Sequence, residues 1–329
     1  MIKTFLKTIL TDKFFLTLDV LVAPLTLFSA LWMKLIRRTG VFRLRVSHFI
    51  FNTVGVFPIR DYYYEPLFNL SKLKKPLNQE RDLSGIDWND AGQLELLANF
   101  HYNEELLAIP KQPQGQNQFY YKNPNFTEGD AEYLYNMIRY VKPSKIIEVG
   151  SGFSTLMAKA AIAANVKDDA HYHCQQVCIE PYEMPWLEQL TDIEIVRSPV
   201  EEVDAALFAS LGHNDFLFID SSHVIRPQGD VLVEYLTILP RLAQGVLIHF
   251  HDIFTPRDYP EEWLVTQVRL WNEQYLLEAF ISFNSHFEII ASLNYLKHRY
   301  PEKLATVCPV LAESLATSEP GSFWLRKVR

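Results

Sequence analysis

The sequence predicts an α/β protein built on a doubly wound, mostly parallel, seven-stranded sheet with an N-terminal helical extension. Two observations carry this. From about residue 125 to the C-terminus, apolar runs of four to seven residues alternate with helical patterns. Strands buried on both faces by helices need such runs. The first run also ends in a glycine turn that opens a helix, Glu148-Val149-Gly150-Ser151-Gly152-Phe153-Ser154-Thr155. Open parallel sheets bind ligands at such places, beyond the carboxyl ends of their strands.

Three segments follow in order. Residues 1–50 read as an apolar and basic helical extension. Within it, Phe14 to Met33 is a 20-residue apolar stretch interrupted by Thr, Ser, Asp19 and Pro24, and Lys34, Arg37, Arg38, Arg43 and Arg45 follow. That length just spans a bilayer. Asp19 is costly in hydrocarbon, and Pro24 would kink the helix. No small-residue cleavage site stands out, so a secretory leader is not expected. Three placements stay open: packing on the catalytic domain or in a homo-oligomer interface, lying in a membrane interface through residues 14–45, or spanning the membrane. Residues 51–124 read as an irregular linker or cap, punctuated by Pro58, Pro66, Pro76, Pro110, Pro113 and Pro124. Residues 125–329 form the expected catalytic domain.

Within that domain, Thr127 to Asp130 resembles a capping box opening a helix to about Tyr140. Strands are expected at Lys145–Val149, Gln176–Glu180, Ile193–Arg197, Asp215–Asp220, Gly245–His249, Phe287–Leu293 and Phe323–Arg326. Helices are expected at Ser154–Asn165, from about Pro227 to Leu239, and in one long pattern from Trp263 to Phe280. Phe254 to Pro260 reads as a lid or an ordinary rigid loop, and Trp263 to Trp271 as core.

Composition removes several function classes. Hydrophobic residues make up 48% and charged residues 21%, a globular balance. A net charge of −8 speaks against nucleic-acid binding, which needs clustered cations. Cys174, Cys178 and Cys308 are too few for a disulfide framework or a cysteine zinc site, which suits a reducing, cytoplasmic setting.

The candidate chemistry lies at the strand ends. The glycine turn is neither a nucleoside-triphosphate loop nor a full dinucleotide fingerprint. It suits a ligand carrying an amino acid and a ribose. Glu180, ending the second strand, can accept hydrogen bonds from ribose hydroxyls. Asp220-Ser221-Ser222-His223 ends the fourth strand, and His249-Phe250-His251-Asp252 the fifth. Carboxylates and imidazoles converging there could bind a divalent metal (Mg, Mn or Fe) and supply a base.

The ordered set EVGSGFST, CIEP, DFLFIDSSH and GVLIHFHDI resembles the class I S-adenosyl-L-methionine-dependent methyltransferases, which have a Rossmann-like fold. Within them it is most similar to a bacterial branch of metal-dependent sugar O-methyltransferases and cephalosporin hydroxylase-like proteins. The resemblance covers roughly residues 125–329. It implies that Glu148, Gly150, Ser151, Gly152 and Ser154 hold the methionine part of the cofactor. It places Glu180 on the ribose, with Asp220 also facing the cofactor. It further implies a metal held by Asp220 and Asp252 with His251 as a third ligand, and His223 as base with His251 as a second catalytic histidine. The family's adjacent acidic pair after the fifth strand is here His251-Asp252. The expected acceptor is a glycan or small secondary metabolite. A metal-dependent hydroxylase and a non-catalytic scaffold on the same fold are the alternatives. The three tyrosines of Asp61-Tyr62-Tyr63-Tyr64-Glu65-Pro66 suit a carbohydrate or ordinary packing.

Overall fold

The computed structural model describes residues 2–329, with side chains from Lys13 onward. The chain divides into two compact units, residues 1–74 and 75–329.

The first unit holds helix α1 (Ile2–Thr39) and helix α2 (Arg45–Val54). Between them Gly40 adopts φ +95°, a conformation that L side chains rarely adopt. Gly55 ends α2 in the left-handed region, its N–H donating to Phe51 O. Glu65 anchors the unit's tail. It accepts hydrogen bonds from Arg60 at 2.7–2.8 Å and pairs with Arg37 at 2.8 Å.

The second unit is the sheet domain. Helices α3 (Asp90–Ala98), α4 (Asn103–Ala108) and α5 (Asp130–Val141) precede β1 (Lys145–Val149). Then come α6 (Phe153–Asp168), β2 (Gln175–Ile179), β3 (Glu194–Val196), α7 (Ala205–Ala209), β4 (Phe216–Ile219), α8 (Asp230–Val233) and β5 (Leu247–Phe250). Helix α9 (Glu273–Ile281), β6 (Phe287–Ser292), α10 (Leu293–Arg299), α11 (Pro301–Val307), α12 (Pro309–Ser314) and β7 (Phe323–Lys327) complete it. The strand order is β3-β2-β1-β4-β5-β7-β6, with β7 antiparallel to both neighbours. This is the expected doubly wound, seven-stranded, Rossmann-like sheet.

Successive strand residues point to opposite faces, and both faces are covered. Ile146, Phe216, Phe218 and Leu247 join the core under α5, α6 and α10. Ile147, Leu217, Ile219 and Ile248 join the core on the opposite face, with Val231 of α8 and Leu277 of α9. The α5 N-terminus keeps one half of a capping box: Gly129 N–H donates to Glu132 Oε2 at 3.0 Å, and glycine has no side chain to return the bond.

Three expectations differ from the structure. The stretch 75–124 is not an irregular linker. It carries α3 and α4 and belongs to the sheet unit, with Leu97, Phe100, Leu106 and Tyr121 in its core. Its proline punctuation marks turns between short helices. The long helix expected over Trp263–Phe280 is broken. A wide turn at Glu262–Thr266 leads into irregular backbone, Val268 sits at φ +53°, and α9 begins only at Glu273. Within the break, the Arg269 guanidinium lies 4.5 Å from the Trp263 ring and 4.4 Å from the Trp271 ring. Trp263 and Trp271 are half-buried rather than core. Residues 254–260 form a largely buried loop with Phe254 and Tyr259 inside.

Candidate functional site

The carboxyl ends of β1, β2, β4 and β5 bring the candidate residues together, because these strands are parallel neighbours. Two sub-sites result.

The first surrounds the glycine turn. Gly150 has φ +80°, and a Cβ there would lie 2.1 Å from the Asp220 carbonyl oxygen. The β1 turn therefore passes too close to the end of β4 for any side chain. Gly152 differs. A Cβ there would meet nothing within 4 Å. It lines a cavity of about 630 Å³ together with Ser151, Phe153, Tyr120, Met184 and Trp186. The Ser151 hydroxyl is buried without a hydrogen-bond partner. Glu180, 5% exposed, accepts from Ser151 N–H at 3.2 Å and Tyr182 N–H at 3.0 Å. The second strand's carboxylate thus braces the turn.

Glu148 and Ser154 lie deeper than the sequence implied. Glu148 is 2% exposed and accepts from the hydroxyls of Ser154 and Thr155, the latter at 2.6 Å. It ties the α6 N-terminus to β1. Burial pushes its pKa up to about 7, against the three donors Ser154, Thr155 and Cys178. A carboxylate with a raised folded pKa contributes stability that is present below its unfolded value near 4.5 and lost as pH rises through 7. Glu148→Gln is expected to flatten the fall in Tm between pH 5 and pH 8. The pH-dependent part removed is about 3 kcal/mol. Parallel Tm–pH curves for the two proteins would contradict this.

The second sub-site holds the ionisable residues. Asp220 Oδ1 lies 3.3 Å from His223 Nε2 and 3.5 Å from His251 Nδ1. Asp252 Oδ2 lies 3.6 Å from His223 Nε2, and its Oδ1 3.5 Å from His251 Nδ1. His223 and Asp252 both have φ +59°. His and Asp tolerate this region better than most residues, and such outliers cluster at functional sites. Here the backbone turns both side chains toward Asp220.

Two residues that the sequence reading missed orient the histidines. Glu273 Oε2 is 2.8 Å from His223 Nδ1, and Glu273 is 1% exposed. The N–H groups of Asn272 and Glu273 donate to His223 O at 3.0 and 3.2 Å. The break before α9 thus delivers its first residue to His223, with the Trp271 ring 4.3 Å from the imidazole. Asp130, at the start of α5, lies 3.6 Å from His251 Nε2 and accepts from Gly321 and Ser322 N–H. No local pattern links either carboxylate to its histidine, since Glu273 is 50 residues from His223.

Electrostatics follow from this packing. Burial alone would lower the His223 pKa; its hydrogen bonds to Asp220 and Glu273 outweigh that and raise it to about 10. Burial also opposes charge on His251, but Asp252, Asp220 and Asp130 hold its pKa well above the usual imidazole range. Burial would raise the Asp220 pKa, yet His251 and His223 hold it well below the carboxylate range. Burial raises that of Asp252. His249 stands apart. It lies within β5, bonded to Ser322 Oγ at 2.8 Å, and burial keeps it neutral.

Among the described residues, donor atoms of Asp220, His223 and Asp252 lie within 4.8 Å of one another, a separation that could hold one cation. The sequence reading put His251 in that trio and left His223 free. In the structure His223 Nε2 also closes on the two aspartates, at 3.3 and 3.6 Å, beside His251 Nδ1 at 3.5 Å from each. The left-handed backbone at His223 aims Nε2 between them, while His251 also faces Asp130.

Sequence comparison matches part of the sheet domain. Residues 147–253, about a third of the chain, match the model of a methyltransferase-domain family. That span runs from within β1 to just beyond β5 and contains the glycine turn, Glu180, Asp220, His223, His251 and Asp252. An uncharacterized protein of Archaeoglobus fulgidus is 28% identical over 171 residues, 48% of this chain and 75% of that one. A crystal structure of a SAM-dependent methyltransferase from A. fulgidus aligns at TM-score 0.28 and 14% identity, covering 60% of this chain and 95% of that one. A SAM-dependent methyltransferase from Anabaena variabilis aligns at TM-score 0.30 and 13% identity, covering 78% and 100%. TM-scores this low transfer no property to this chain.

Proposed function

We propose that this chain is an S-adenosyl-L-methionine-dependent methyltransferase that acts on an oxygen of a sugar or small metabolite, assisted by a divalent cation. The observation that carries the cofactor reading is the glycine turn. Gly152 opens onto the 630 Å³ cavity, and the buried Ser151 hydroxyl beside it lacks a partner. Both features fit a polar ligand at this turn. Ser151 and Gly152 would hold its amino-acid end and Glu180 its ribose, while Gly150 shapes the turn. Tyr120, Phe153 and Trp186 offer apolar walls of the kind a purine favours. When bound, the cofactor supplies an electrophilic methyl group with its own leaving group.

The chain's remaining tasks are to orient the acceptor and remove its proton. A neutral hydroxyl is a poor nucleophile, so the acid–histidine cluster matters most for an oxygen acceptor. In this reading Asp220, His223 and Asp252 hold the cation, which would lower the hydroxyl pKa. Glu273 accepts a hydrogen bond from His223 Nδ1–H, which would leave Nε2 for the metal, an arrangement typical of metal-bound histidines. A histidine so engaged is not free as the base. That leaves His251, named with it from the sequence, as the candidate proton acceptor once a cation on Asp220 and Asp252 offsets the charges that hold its own proton. Calorimetric titration with S-adenosyl-L-methionine, with and without Mn²⁺, tests both halves. Binding of each ligand is expected. No heat with S-adenosyl-L-methionine under either condition would overturn the cofactor reading, and no Mn²⁺ binding would remove the metal.

A further inference from the structure

We propose that α1 crosses a lipid bilayer and anchors the protein, with α2 lying in the headgroup region on the basic side. This does not rest on the methyltransferase reading. From Lys13 to Thr39 the helix has a mean hydropathy of 2.0 over its most apolar window, and none of that window is buried. Eleven Phe, Leu and Val side chains between residues 14 and 31 are each 40–73% exposed, on all sides of the helix. A helix apolar all round belongs in a core or in lipid, and among the described residues the rest of the first unit buries none of this window. An interfacial helix would instead show a polar face. The apolar run Phe14–Met33 has 20 residues, about 30 Å of helix, which matches the hydrocarbon thickness. The central part of a cleaved leader is shorter. Asp19 is the one acid in the run and is outnumbered by the apolar residues.

The far end of the run fits a membrane boundary. Trp32 is 54% exposed, and Lys34, Arg38, Arg43 and Arg45 follow within 13 residues. Such a cluster marks the side that is not translocated and suits anionic headgroups. Helix α2 then has no buried residue. Val46, Phe49, Ile50 and Val54 form one exposed apolar stripe, at 74%, 70%, 51% and 67%. Arg45, His48 and Asn52 share the opposite face. A single-sided helix next to a span is built to lie at the interface.

The test uses the full chain produced in bacterial membranes. More than nine-tenths is expected to stay in the membrane pellet through 1 M KCl and through alkaline carbonate. Leu21→Arg combined with Leu25→Arg is expected to reduce that fraction at least fivefold, with the released protein monodisperse and showing the wild type's thermal transition. In sealed inverted vesicles, added trypsin is expected to digest everything after about residue 34 and spare the fragment before it. Release of the wild type by salt alone would overturn the proposal in favour of surface adsorption. So would a soluble wild-type oligomer holding α1 between copies. Pelleting of the double variant would also overturn it, since that marks aggregation rather than insertion.

Discussion

Gly150→Ala is expected to lose the fold, while Gly152→Val folds and loses the cofactor. At position 150 a Cβ would overlap the Asp220 backbone oxygen at 2.1 Å, and the φ of +80° adds conformational strain. Neither atom sits on a flexible side chain. Relief requires β1 and β4 to part, and they are paired from Ile146↔Phe216 to Val149↔Ile219. A cost of at least about 4 kcal/mol follows, at the extreme of single substitutions. At position 152 the backbone is extended, with φ −173°, and a new side chain meets open space. Stability should change by less than about 1 kcal/mol. The valine instead occupies the cavity beside Ser151, so the affinity for S-adenosyl-L-methionine should fall at least about 100-fold, on the order of 3 kcal/mol. Thermal denaturation and calorimetry separate the two outcomes. A Gly152→Val protein that binds the cofactor like the wild type would show that the turn is not its cradle. The two glycines differ in what surrounds them: Gly150 permits the approach of β1 to β4, while Gly152 opens onto the cavity.

Asp252→Asn is expected to abolish measurable Mn²⁺ binding while leaving S-adenosyl-L-methionine affinity within about twofold. The substitution keeps shape, and asparagine also accepts a positive φ, so the +59° backbone should persist. What it removes is one of two anionic donors in a three-donor group. His223→Asn should act likewise, because it removes the group's nitrogen donor while asparagine also accepts the +59° backbone. Glu273→Gln is the finer probe. It leaves all three donors in place and weakens only the hold on His223 Nδ1, now 2.8 Å from the carboxylate. Loss of such a partner typically costs about 10–100-fold in metal affinity. Isothermal titration with Mn²⁺, backed by elemental analysis, measures all three. If Asp252→Asn binds Mn²⁺ as the wild type does, the cation site lies elsewhere. If no variant and no wild type binds metal, the cluster works by proton transfer alone.

The parts of this protein legible in its sequence are those set by local rules. Buried parallel strands must be apolar runs, so β1 through β5 could be placed within a few residues. A sharp β1-to-α6 turn needs glycine, so the ligand end of the sheet was visible, as was the carboxylate ending the second strand. The helical, apolar and basic character of the N-terminus was equally plain. Tertiary structure decided what depends on residues far apart in the chain. Whether its own unit covers α1 is a question of partners rather than composition, and the exposure of Lys13–Thr39 answers it. The helix expected over 263–280 breaks where Arg269 settles between two tryptophans, an arrangement that residue spacing does not announce. Above all, the roles of the two histidines could not be ranked by type or order, because both follow apolar strands and both neighbour an aspartate. His223 joins Asp220 and Asp252 because its backbone is left-handed and because Glu273, 50 residues on, holds its other nitrogen. His251 meets Asp130 because α5 packs on the sheet's face with its first residue beside the end of β5. Side-chain direction at a strand end is set by a few dihedral angles and by partners brought in from elsewhere, and neither is written in the local pattern.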